Sequence, residues 1–210
     1  MTNPALDTGT WRRKTGLATW HHRVPMSREV SAKSAICDAA VRVWSVLDGF
    51  ANVAGAAWST LSAGEDARVE ARSGLDLERL RSACVELDDV CTLDLDLDLR
   101  CLGLDGSEGI IEHGAKLVLD LDWPDPTDLS VDQPELDLVL RLQVDIYAPY
   151  TGAHHPDNRA LAALNGPGLS TFLRRLRTEL GATLIDVDAY AGDTIANEDG
   201  FIGVDGSTSL

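Results

Sequence analysis

Carboxylates set two residues apart on extended chain are the most frequent chemistry-bearing pattern in this sequence. Asp94, Asp96 and Asp98 alternate with leucines, and the pairs Asp120/Asp122 and Asp186/Asp188 repeat the spacing. On a strand, Asp-x-Asp puts both carboxylates on one face, where they could hold a divalent cation for phosphoryl or glycosyl transfer. Leu-Asp alternation produces such pairs without any ligand, however. No lysine follows the acidic residues after Pro124 to complete a nuclease-type site. Surface residues are the plainer reading.

Histidines occur as His21-His22, as His154-His155 ahead of Pro156-Asp157, and singly at His113. Neighbouring histidines on a strand point to opposite faces, so a shared metal would require two loops to converge. Asn165-Gly166-Pro167-Gly168 stands before a helical pattern, where free N–H groups attract anions. It lacks the spacing of a phosphate loop and reads as a turn. Arg174, Arg175 and Arg177 fall on the same helical pattern and read as its exposed side. Nucleophile signatures (Gly-x-Ser-x-Gly, Ser-x-x-Lys, a cysteine with a histidine partner) are missing from the sequence. No catalytic residue, metal ligand or cofactor is assigned on this basis.

The elements that must position these groups follow from periodicity. Residues 91–102 alternate strictly. Leu93, Leu95, Leu97 and Leu99 fall on one face with Cys91 and Cys101, while Thr92, Asp94, Asp96, Asp98 and Arg100 fall on the other. Residues 115–123 and 136–147 repeat the pattern, and 183–190 forms a fourth strand. Read consistently, Asp120, Asp122, Asp137, Asp145, Asp186 and Asp188 join the polar face, offset by Arg100, Lys116 and Arg141. Short connections favour antiparallel pairing.

Helices are predicted over residues 27–48, with Ile36, Ala40, Val43 and Leu47 inward; over 76–87, capped by Asp76; and over 168–180, ended by Gly181. Residues 52–62 suggest a further strand and 63–74 a charged loop. The expected architecture is α+β: an antiparallel sheet of at least four strands, helices packed on its leucine face, the other face acidic and exposed or covered by a partner. The expected organisation is an irregular arm over 1–24 with one short strand at 17–24, then one domain over 25–192 and a flexible end over 193–210.

The charge of −16 in 210 residues opposes binding to nucleic acid or to anionic membranes, because both demand cationic surface. Only Lys14, Lys33 and Lys116 are lysines among the 18 basic residues. The four cysteines, Cys37, Cys84, Cys91 and Cys101, contain no Cys-x-x-Cys and read as reduced thiols. With no apolar leader or span of about 20 residues, a cytoplasmic protein is expected.

Aspartate is a poor strand former, and Thr or Lys would keep a face polar at lower cost. The acid thus points to a binding module that docks a basic protein partner through Asp94, Asp96, Asp98, Asp120, Asp122 and Asp145, in the manner of an immunity protein, an inhibitor or an accessory subunit. Two alternatives stand beside it. One is a metal-dependent enzyme using strand carboxylates and His154 or His155. The other is a homo-oligomer whose polar face is covered by another copy. A solvated face that blocks edge-to-edge aggregation explains the same pattern without a partner.

Overall fold

The computed structural model describes residues 13–27, 31–60, 71–72, 75–86, 90–122, 134–149, 157–189 and 195–202. Its centre is a seven-stranded sheet in which every pairing is antiparallel. The strands are β1 (Arg13–Pro25), β2 (Ala51–Thr60), β3 (Ala71–Arg72), β4 (Val90–Leu102), β5 (Glu108–Asp122), β6 (Glu135–Val144) and β7 (Thr183–Ala189), in the order β3-β2-β4-β5-β6-β1-β7. A hairpin of β8 (Ile195–Asn197) and β9 (Gly200–Ile202) forms a separate small sheet. The helices are α1 (Ala32–Val46), α2 (Leu77–Glu86) and α3 (Arg159–Leu180). The fold is α+β, as the alternating strands and 3.6-period stripes predict.

Register follows from the leucines. Leu95, Leu117, Leu140 and Trp20 lie directly opposite one another across β4, β5, β6 and β1, all fully buried. Leu93, Leu119, Leu138 and His22 form the next such row. Directly opposed residues share a face, so these rows interdigitate into one continuous core. The stripe Ile36, Ala40, Val43 and Leu47 of α1 is buried in that core, and so are Leu169, Phe172, Leu173, Leu176 and Leu180 of α3. Phe50 and Phe172 stack with ring centroids 4.4 Å apart.

Several expectations are corrected. Residues 13–25 are no arm but a thirteen-residue strand lying between β6 and β7. The α1 helix begins at Ala32 rather than near 27, where the Ser31 side chain accepts a hydrogen bond from Ser34 N. Asp76 does cap α2, accepting from Arg79 N at 2.8 Å.

The expected turn at Asn165–Gly168 is helix, and α3 starts at Arg159 rather than at residue 168 and continues through Pro167. Proline removes one N–H from a helix interior, but tertiary packing outweighs the loss here. Asn165 Nδ2 donates to Leu161 O and Leu102 O, and its Oδ1 accepts from Leu102 N. The side chain thereby imitates a neighbouring strand at the end of β4. Gly181 ends α3 with φ 71°, as expected.

The second alternating strand begins at Glu108, not 115, because β5 passes through a bulge at 112–114. His113 adopts φ 50° there, and its N–H donates to Asp98 Oδ1 at 2.8 Å. A Cβ on Gly114 would sit 2.6 Å from Leu99 Cδ1. Past residue 192, where the sequence places the end of the domain, β8 and β9 follow, and Phe201 packs edge-on against Trp20.

Leu117→Ala, at the centre of a fully buried row, is expected to lower stability by about 2–5 kcal/mol. Gly114→Ala, which drives a methyl into Leu99, should lower it by about 1–3 kcal/mol. Urea unfolding with an unchanged slope checks both.

Candidate functional site

The side chains that alternate with the buried leucines form three rows across the strands. From β1 through β6 and β5 to β4, the first reads Thr19, Arg141, Lys116, Asp96. The middle row reads His21, Val139, Val118, Asp94, and the third reads Arg23, Asp137, Asp120, Thr92. On β7, Asp188 lies opposite Thr19 and Asp186 opposite His21. Most of these side chains are half-buried; Asp120, Arg141, Asp186 and Asp188 are exposed.

Charge on this side is organised by local pairing. Lys116 Nζ lies 3.2 Å from Asp94 Oδ2 and 4.0 Å from Asp96 Oδ1. Arg23 bridges Asp137 and Glu135, each at 2.9 Å. Asp120 and Asp137 stand directly opposite, which is repulsive. Thr92 Oγ1 donates to Asp120 at 2.9 Å, while Arg23 Nε donates to Asp137. His21 Nε2 lies 3.2 Å from Asp137 Oδ1. Partial burial pulls the Asp137 carboxyl up, but Arg23 and His21 together outweigh it and leave the group below its ordinary range.

Of the residues predicted to dock a partner, Asp94, Asp96 and Asp120 are thus brought together on one side of the sheet. Asp98 lies on the same strand but caps the β5 bulge. Asp122 pairs in register with Glu135, and its side chain lies outside the described residues. The expectation for Asp145 is overturned. β6 ends at Val144, and Asp145–Tyr147 turn into a short 3-10 helix with Asp145 only 3% exposed. The alternation breaks one residue early there, because Asn158 Nδ2 donates to Asp145 O and pulls the chain inward.

Of the arginine cluster on α3, Arg174 is exposed as expected, whereas Arg175 and Arg177 are ties to other elements. Arg175 donates to the carbonyls of Ser45, Val46 and Asp48 at the C-terminal end of α1, and to Glu179. Such carbonyls lack intrahelical donors, so a guanidinium satisfies several at once. Arg177 bonds Glu198 O and the Asp199 carboxylate, and Ser170 donates to Asp199 O, which together seat the β8–β9 hairpin. Sequence spacing signals none of these long-range contacts.

His21 and His22 do point to opposite sides of β1. His22 is fully buried, with neither ring nitrogen hydrogen-bonded, and Trp58 Nε1 is likewise buried without a partner. Burial, then repulsion from Arg177 and from His21, pushes the His22 pKa from 6.5 down to about 4. His154 and His155 lie outside the described residues. Among the described residues, no three His, Cys, Asp or Glu side chains are grouped to hold a metal. Cys91 and Cys101 are thiols outside any disulfide, and burial raises Cys101, beside the Tyr147 hydroxyl, to about 11.

A cleft of about 760 Å³ opens where the β4–β5 end of the sheet meets α3, lined by Asn52, Arg100, Glu108, Glu112, Leu164 and Asn165 among others. Arg100 donates to Asn52 Oδ1 there at 2.8 Å. None of Asp94, Asp96, Asp98 or Asp120 lines it. Among the described residues, no helix is long and apolar enough to cross a membrane. Compared with protein-family models, with curated proteins and with solved structures, the chain finds no match in any of the three.

Neutral His22 is the form the core accepts. The unfolded chain takes up that proton near pH 6.5 and the fold only near 4, so His22 contributes its full stability above about 6.5. As pH falls from 6.5 towards 4, roughly 3 kcal/mol should be lost. His22→Leu should flatten this part of the stability-against-pH curve relative to the native chain, as denaturant titrations at a series of pH values would show.

Proposed function

We propose that this chain is a non-enzymatic binding module that docks on a basic partner protein through the side of its sheet opposite the leucines. On this reading the helices cover the leucine-bearing side, and the alternate side is an acidic, accessible face. The observation that carries it is the imbalance of that side. Asp94, Asp96, Asp120, Asp137, Asp186, Asp188 and Glu135 stand there against Arg23, Lys116 and Arg141, on a chain of net charge −16.

The face pairs its ions within the sheet, which holds their side chains in fixed positions before any partner arrives. Preordered charge lowers the entropy lost on docking, and net negative potential steers a cationic partner into encounter. A module of this kind suits an immunity protein or inhibitor that neutralises a basic toxin or nuclease, or an accessory subunit of a larger assembly. The reduced thiols of Cys91 and Cys101 support action in a reducing compartment such as the cytoplasm.

The test is capture of partners from the native host at low ionic strength, followed by binding measurements with each purified basic protein recovered. Replacing Asp94, Asp96 and Asp120 together by Asn should weaken the interaction at least tenfold. Raising salt from about 0.02 M to about 0.5 M should do the same. Binding indifferent to both changes would overturn the reading.

A further inference from the structure

The three rows hold more than a surplus of acid. On the two central strands, β5 and β6, the first row is cationic, with Arg141 directly opposite Lys116; Val139 and Val118 occupy the middle; and the third is acidic, with Asp137 opposite Asp120. On the flanking strands Asp96 ends the first row, Asp94 and His21 end the middle one, and Arg23 ends the third. An occupant that matches the two central strands sets carboxylates against Arg141 and Lys116 and cations against Asp137 and Asp120. There the pattern is complementary to its own inverted image.

We propose that two copies of the chain associate face to face across these rows, about a two-fold axis running along the middle row, perpendicular to the strands. Rotation about that axis keeps each strand over its own equivalent and exchanges the first row with the third. Arg141 then meets Asp137 of the second copy, Lys116 meets Asp120, and Val118 and Val139 meet their own equivalents. At the flanks of the middle row His21 does so too, as does Asp94, whose charge Lys116 of its own chain offsets at 3.2 Å. The alternative in-plane axis, parallel to the strands, sets Arg141 on Lys116 and Asp137 on Asp120, like upon like. Between these two axes, charge on β5 and β6 favours the first, and the contact it makes is isologous, as a closed dimer requires.

Further features fit this occupant. Arg141 is exposed and makes no ion pair among the described residues, so a carboxylate of the second copy is its natural complement. Aligned packing of two sheets places their mean strand directions within about 30° of each other, which this axis allows. Five strands at about 4.8 Å and three rows at about 6.8 Å give a patch of roughly 500 Å² on each copy. The two patches together, about 1,000 Å², sit at the lower limit of specific interfaces, so a weak dimer is expected.

The inference rests on the reading of this face as an accessible docking surface and names its first occupant. A basic partner using the face would exchange with the second copy.

Sedimentation velocity of the purified chain alone tests it, from about 1 μM to about 1 mM. The native chain should reach twice its single-chain mass within that range. Asp120→Lys is the decisive variant. Within one chain it places a cation opposite Asp137 and relieves a repulsion, so thermal stability should hold or rise. Across the dimer it sets the introduced ammonium against Lys116 of the second copy, and association should weaken at least tenfold. Arg141→Glu, an exposed substitution, should weaken it similarly by facing Asp137.

Single-chain mass throughout would overturn the proposal, as would a dimer that neither substitution weakens. Because no partner is present, failure here leaves the basic-partner reading standing. Conversely, a dimer that binds no basic protein retires that reading alone.

Discussion

Strand register is the constraint on which this molecule depends. Side chains of a sheet repeat every two residues, so a slip of one position would turn a whole strand inside out. In β4 that slip would exchange Leu93, Leu95, Leu97 and Leu99, all buried without exposed area, for Asp94, Asp96 and Asp98. Burying several unpaired carboxylates is prohibitive, whereas each buried leucine contributes about 1.5–3 kcal/mol. The alternation thus specifies the correct pairing by reward on one side and penalty on the other. The aspartates serve the fold in this sense before they serve any partner.

Polar residues elsewhere act as local substitutes for missing backbone partners. Asn165 stands in for a strand at the end of β4, Arg175 closes the carbonyl end of α1, and Asp98 receives the stray N–H of the β5 bulge. Each satisfies groups that the regular ladder or helix leaves open. His22 and Trp58 are the contrast, with buried ring nitrogens that no hydrogen bond answers among the described residues. His22 alone of the two titrates, which places the pH-sensitive weak point in β1, between β6 and β7.

Legibility in the sequence tracks how local the determining physics is. Strands with period two, the Asp76 cap, the inward stripe of α1 and the Gly181 stop depend on neighbours within a few residues, and all are legible. Residues 13–25 do not read as a full strand because Gly16, the paired histidines and Arg23 blur the alternation; pairing with β6 and β7, far away in the chain, makes them extended. Pro167 hides the first half of α3, since local propensity argues for a break. The helix is carried through it by contacts far away in the chain, with Leu161 and Leu169 buried in the core on either side and Asn165 bonded to Leu102. Asp145 reads as outward only if the period of β6 is carried one residue too far. For the candidate site, side of sheet is legible at Asp94, Asp96 and Asp120, but which cation answers which acid is not, because that depends on register between strands.

The position of β1 bears on how the chain comes to be folded. It pairs with β6 and β7, both far later in the chain. During synthesis β4, β5 and β6 can close as a meander while the first strand waits, and the flank of β6 stays open until β1 returns to it. Long-range closure of this kind slows folding and prolongs the exposure of an unpaired edge. On that flank Asp137 and Arg141 alternate with the leucines, and charge along a waiting edge keeps nascent chains from zipping onto one another.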